Sequence, residues 1–331
     1  MKILQITLIS LLFIVFTACS SKEVYKPSDV EDDWEYCGSS DVTIMGTSSE
    51  AALVEDRKVI VKGKVLDITI PKEDKLLGYS DGWIMSSGID GNLTLQYATD
   101  DKMVEKFALK RTIATAGVKD DLLAVLFVNN EMALYSIADK TLLLKEQGDA
   151  PIVVNSKIVK PYIRDELVIF STLDGKVVII NSETKKKLRT VIVSSQEQFN
   201  NIIYFNLVDN KIIAATGHKI LSLGQKEIRA DYDIRDIVAD GKNIFIATKQ
   251  GDIVSLTPNL EQNAIAKFPF AHFLGMIAHN DNLYALEKEG YIIEISKDLQ
   301  THRVYEACID EGYVYIDGKI FFVDDRYISV E

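Results

Sequence analysis

Apolar residues in this chain come in short unbroken runs, not at the three-to-four-residue spacing of a helix. Leu167, Val168, Ile169 and Phe170 form one run, and Lys176–Ile180 supplies a second, rich in β-branched residues. Between them lies Leu173-Asp174-Gly175, a sequence suited to a tight reversal because glycine reaches positive φ without a Cβ clash. The pattern predicts a hairpin, and a lone hairpin is marginal in water.

The same pattern recurs. Eight hairpins read out at 51–61, 83–97, 122–137, 167–181, 211–223, 243–256, 282–296 and 319–330. Their turns centre near residues 56, 90, 130, 174, 218, 250, 289 and 325, a repeat of about 40 residues and the period of a propeller blade. Further apolar runs precede the hairpins, as in Ile202–Leu207 and Ile234–Val238. Others follow them, as in Leu188–Val193 and Arg303–Tyr305. Asp or Asn stands just ahead of several hairpins (Asp120-Asp121, Asp209-Asn210, Asp240, Asp281), where a tight turn would admit it. The expected architecture is all-β: an eight-bladed propeller of four-stranded antiparallel blades, or seven blades if the first and last hairpins share one.

The last hairpin runs to the end of the sequence without a fourth strand. A strand near Trp34–Ile44 is therefore expected to complete the final blade, since an open edge invites strand addition. That closure would bring Cys37 close to Cys308, giving either a disulfide in an oxidising compartment or two unrelated buried thiols.

Residues 1–18, with Lys2 ahead of an apolar stretch through Phe16, have the form of a bacterial export signal. Phe16-Thr17-Ala18-Cys19 resembles a lipobox, which implies cleavage before Cys19 and lipidation of its thiol. Ser20 follows where an aspartate would retain a lipoprotein in the inner membrane, so the periplasmic face of the outer membrane is expected. The polar stretch to Asp33 reads as a flexible tether, which divides the chain into signal (1–18), tether (19–33) and propeller (34–331).

Composition narrows the function. With 47% hydrophobic residues the chain can build a large core, and a formal charge of −12 argues against binding nucleic acid. His218, His272, His279 and His302 lack the spacing of a metal site, and no nucleophile motif or phosphate loop occurs. The paired acids Asp120-Asp121 and Asp324-Asp325 fall at turns and read as solvated carboxylates. The basic run Lys185-Lys186-Lys187, with Arg189, reads as an outer turn. No catalytic residue, metal or cofactor is expected.

The repeat is similar to that of quinoprotein-type propellers. With the lipobox, it resembles the BamB family of lipoproteins in the outer-membrane β-barrel assembly machinery. Gly148-Asp149-Ala150-Pro151-Ile152, leading into an inner strand before Leu167–Asn181, matches a Gly-acid-Ala-Pro element of that family's middle blades. The resemblance implies a non-enzymatic scaffold whose loops contact a periplasmic domain of BamA. Carried onto this chain, the contact stretches are Glu146–Asp149 (Glu146, Gln147, Asp149) and Gln196–Asn200 (Gln198, Phe199, Asn200), with Phe199 the candidate anchor. The family has a basic residue where Gln147 stands. Quinone-dependent enzymes share the repeat, but this chain has only Trp34 and Trp83 and no vicinal cysteine pair for a cofactor to stack on. Two alternatives are a different envelope-complex binding module on the same ring and, ranked lower, an enzyme with a site in the central channel.

Overall fold

The computed structural model describes residues 23–309 and 312–330. The strands among them form eight four-stranded antiparallel sheets. Blades 1 to 7 each take four consecutive strands, A to D, over 44–69, 75–108, 113–147, 162–192, 204–231, 234–267 and 273–306. Blade 8 joins three strands over 314–329 to Cys37–Ser39. The chain is an eight-bladed β-propeller, and each expected hairpin is the B–C pair of one blade.

The unbroken apolar runs have a packing reason. In blade 4, Val168, Phe170, Val178 and Ile180 pack towards blade 3 with Leu126 and Leu134. Their neighbours Ile169, Val177 and Val191 pack towards blade 5 with Ala214 and Leu221. Successive residues of a strand point to opposite faces, so a sheet buried on both faces loses its polar alternation. Eight such clusters fall one to each pair of adjacent blades. The outer strands differ: in blade 4's strand D, Lys186–Ile192, only Val191 is buried.

The A–B turns repeat one backbone solution. Asp81, Asp120, Asp165, Asp209 and Asn280 occupy the left-handed region at φ of 49°, 51°, 52°, 49° and 48°. Asp and Asn tolerate this conformation better than other side chains that carry a Cβ. At the B–C turn of blade 4, Gly175 has φ of 80°, and a Cβ there would stand 2.6 Å from the Ser194 carbonyl.

Ring closure uses the N-terminal region. Cys37, Gly38 and Ser39 pair antiparallel with Ile328, Tyr327 and Arg326, and Cys37 is disulfide-bonded to Cys308 with Cα atoms 6.2 Å apart. Trp34 Nε1 donates to the Ser329 carbonyl at 2.9 Å. The closing strand is shorter than the expected Trp34–Ile44, because Ile44 already begins strand A of blade 1. Cys308 lies in the connection ahead of strand A of blade 8 (Val314–Asp317), not at the start of that strand.

The stretch expected as a tether is docked where it is described. Tyr25 is 6% exposed and packs edge-on against Phe268 and Tyr291; burial and Glu287 push its hydroxyl up to about 12. Glu31 N donates to Val304 O and Trp34 N to Glu306 O, both at 2.8 Å, so the segment runs along strand D of blade 7. Cys19 and the export signal lie outside the described residues.

Because the disulfide ties the closing strand of blade 8 to the connection from blade 7 across 271 residues of chain, its loss should cost about 2–5 kcal/mol. Urea unfolding should give the Cys37→Ala/Cys308→Ala protein the lower midpoint of reduced wild type. Equal midpoints for oxidised and reduced wild type would contradict this.

Candidate partner-binding rim

Antiparallel order within each blade sends every B–C turn and every D–A connection to the same end of the ring. Both expected contact stretches are at that end. Glu146 and Gln147 finish strand D of blade 3 (Leu142–Gln147), and Asp149 follows. Gln198, Phe199 and Asn200 lie between strand D of blade 4 and strand A of blade 5 (Tyr204–Val208).

The fold joins these stretches. Val153 and Gln198 form a parallel bridge, and Phe199 N donates to Val153 O at 2.9 Å. Asn130, fully buried in the blade 3 turn, donates through Nδ2 to Asp149 O at 2.8 Å and to Asp174 Oδ1 at 2.7 Å. Its Oδ1 accepts from Leu173 N at 2.9 Å. Lys176 Nζ sits 2.5 Å from Asp149 Oδ2 and 2.7 Å from Asp174 Oδ2. The ammonium holds the Asp149 carboxyl below its ordinary range, and the two carboxylates push the lysine up.

The expected residues divide by role. The buried Asn200 braces the loop by donating to Asp174 O at 3.0 Å and Ser194 O at 2.9 Å. Glu146 is paired with Lys187 at 2.6 Å, and Gln147 donates to Asn129 O and Gly148 O. Arg189 pairs with Glu227, so part of the basic run is used between blades. Phe199 is 48% exposed at φ of 51°, a conformation a bulky residue adopts only when its surroundings impose it.

Exposed apolar side chains that were not among the expected contact residues share this end of the ring with Phe199. Ile152 is 70% exposed and Val153 40%, with Val128 and Ile89 on the B–C turns of blades 3 and 2. The available signal was an Ile-Val pair after Ala150-Pro151, apolar residues in a loop with no strand to bury them.

The blade 3–4 connection also enters the ring. Asn155 N donates to Asn201 Oδ1 at 2.6 Å, Lys157 Nζ meets Asp236 Oδ1 at 2.7 Å in blade 6, and Ser49 of blade 1 donates to Ile158 O. Lys160 Nζ reaches Glu50 at 2.8 Å and Tyr79 O at 2.9 Å, in blades 1 and 2. Residues 155–161 are a strut running through the ring from the loop-bearing rim to the far end. Strand A of blade 4 is consequently three residues long, Tyr162–Arg164, where an inner strand leading directly from Ile152 was expected.

A His–Asp contact also lies at this end of the ring. His218 Nδ1 meets Asp233 Oδ1 at 3.1 Å in an exposed turn. Among the described residues no group of three or more His, Cys, Asp or Glu is placed to hold a metal ion.

No family model matches the chain. BamB from Moraxella catarrhalis superposes with a TM-score of 0.66 at 12% identity, over 88% of this chain and 97% of that one. The fold is that of a BamB-like propeller. The WD40 domain of Sif2 (TM-score 0.63, 10% identity, 92% of this chain and 100% of that one) shares the ring, as does the designed protein Ika8 (0.62, 13%, 90% and 99%). In sequence, the plasminogen-binding protein PgbB of Helicobacter pylori strain J99 is 32% identical over 240 residues, 68% of this chain and 43% of that protein. The chain spans less than half the length of the curated relatives it matches.

Two outcomes follow for this eight-bladed propeller. A Cβ at Gly117 would stand 2.7 Å from Pro161 O, so Gly117→Ala should displace the strut, cost about 1–3 kcal/mol and speed amide exchange over 155–161. Exchange unchanged from wild type would count against the strut's packing. Asp149 has a folded value below its unfolded one, so its stabilisation is complete above about pH 4 and is lost as pH falls through the folded value. An NMR titration of its carboxyl carbon should therefore show a midpoint below the ordinary aspartate range.

Proposed function

We propose that this propeller is a non-enzymatic, protein-binding module of the bacterial envelope. In this reading residues 1–18 direct export, and Cys19 carries acyl chains that hold the domain on the periplasmic face of the outer membrane. Several acyl chains together make a firm anchor, at about 0.8 kcal/mol per buried methylene. The rim of blades 2 to 5 docks a protein partner, and the periplasmic domain of BamA is the partner assigned. The observation that carries the reading is the exposed trio Ile152, Val153 and Phe199, fixed on loops that a buried amide and lysine network holds rigid. Preorganised loops lose little entropy on docking, and a few apolar anchors supply most of the affinity of such interfaces.

The match to PgbB favours a second reading within the same class, a module that takes plasminogen or another protein outside barrel assembly. Two measurements separate them. The acyl-free Cys19→Ser chain should bind BamA's periplasmic domain, and Ile152→Asp with Phe199→Asp should weaken that binding about 30-fold, the scale of one interface hot spot. Undiminished binding by the double variant sinks the rim assignment. Absence of BamA binding together with saturable plasminogen binding selects the second reading. Labelled palmitate should enter the wild-type chain and not Cys19→Ala.

A further inference from the structure

The membrane anchor proposed above has a short reach. Tyr25 is seated in the core between blades 6 and 7, six positions after Cys19. Six residues span at most about 20 Å even when fully extended. A compact chain of this length has a radius of gyration near 20 Å, so its far side lies well beyond that reach. The seat is fixed on both sides: Tyr25 stacks on Phe268 and Tyr291, and Glu31 to Trp34 are bonded along strand D of blade 7.

Beside this seat stands an exposed aromatic residue. The connection from blade 6 to blade 7 runs Lys267-Phe268-Pro269-Phe270. Phe268 turns inward onto Tyr25 and Phe273, with ring centroids 6.3 and 6.1 Å away. Phe270 turns outward, 56% exposed at φ of 68°. Ala271 N donates back to Phe268 O at 2.9 Å, which closes the loop into a tight turn with Phe270 at its tip. Lys267 is exposed at the base of the turn. An exposed Phe beside a Lys suits a lipid headgroup boundary, where an apolar ring can enter the acyl carbons while the ammonium stays among the phosphates.

We infer that the flank between blades 6 and 7 lies on the lipid surface, with Phe270 in the headgroup boundary. This rests on the acylation of Cys19 within the proposed function. The short connection and the aromatic tip then act at one place. Phe270 is on a D–A connection, at the same end of the ring as the docking loops, and it stands three and two positions round the ring from the blade 3–4 and blade 4–5 connections.

The test uses the full acylated chain in phosphatidylethanolamine–phosphatidylglycerol vesicles that contain a lipid-borne quencher. A fluorophore is placed at Phe270→Cys or, on the exposed outer strand of blade 3, at Leu142→Cys; Cys37 and Cys308 are already bonded to each other. Quenching at position 270 should exceed that at 142 several-fold. A flexible insert of about 20 Gly and Ser residues after Ser21 should bring the two together. Phe270→Ser should reduce the quenching of a label at Lys267→Cys without changing the unfolding midpoint. Equal quenching at 270 and 142 on a chain whose Cys19 acylation is confirmed by mass overturns the orientation and leaves the anchor standing. A chain without acyl groups that the vesicles do not retain overturns both.

Discussion

Both faces of a blade's middle strands are buried against neighbouring blades, and this condition governs the rest of the molecule. Phe170 and Ile169 are adjacent in sequence yet belong to different inter-blade clusters. A single blade would present two apolar faces to water, so no blade is stable alone and the row has to close on itself. Closure leaves blade 8 needing an outer strand, which Cys37–Ser39 provides and the disulfide to Cys308 secures. The N-terminal segment before it is drawn onto blade 7 by the same means, an open strand edge and an apolar notch that Tyr25 fills.

Within a ring made rigid by packing, the loops are where one blade differs from another. The blade 3–4 connection departs furthest from the repeat. It presents Ile152 and Val153 at one rim and then sends Lys157 and Lys160 across to blades 6 and 1. Asn130, Asn200 and Asn201 are buried amides with specific partners, and each leaves a polar group unsatisfied if its loop moves. The apolar side chains they support are therefore displayed in one arrangement, which suits recognition of a protein surface.

Natural and designed propellers of unrelated sequence share this ring, so the ring alone does not assign a task. The features that differ from blade to blade carry the functional argument: the loops at 149–155 and 194–201, and the Phe270 turn beside the N-terminal seat.

The eight hairpins and the need for an N-terminal closing strand were legible in the sequence, whereas the choice of eight blades over seven was made by the first and last hairpins falling in separate sheets. The first two depend on local patterns: runs of apolar residues with both faces buried, and Asp, Asn and Gly where the backbone must turn. The Glu146–Asp149 and Gln196–Asn200 stretches could be singled out, but not the division of labour within them. Asn200 is a brace and Ile152 is exposed because of bonds between blades, which no local pattern encodes. Residues 19–33 read as a tether because their composition is polar; Tyr25 is buried only because blades 6 and 7 leave a notch that fits it. The strut was equally hidden. Nothing within 155–161 marks it, since its partners at Glu50, Tyr79 and Asp236 come from distant parts of the chain that only the closed ring brings together.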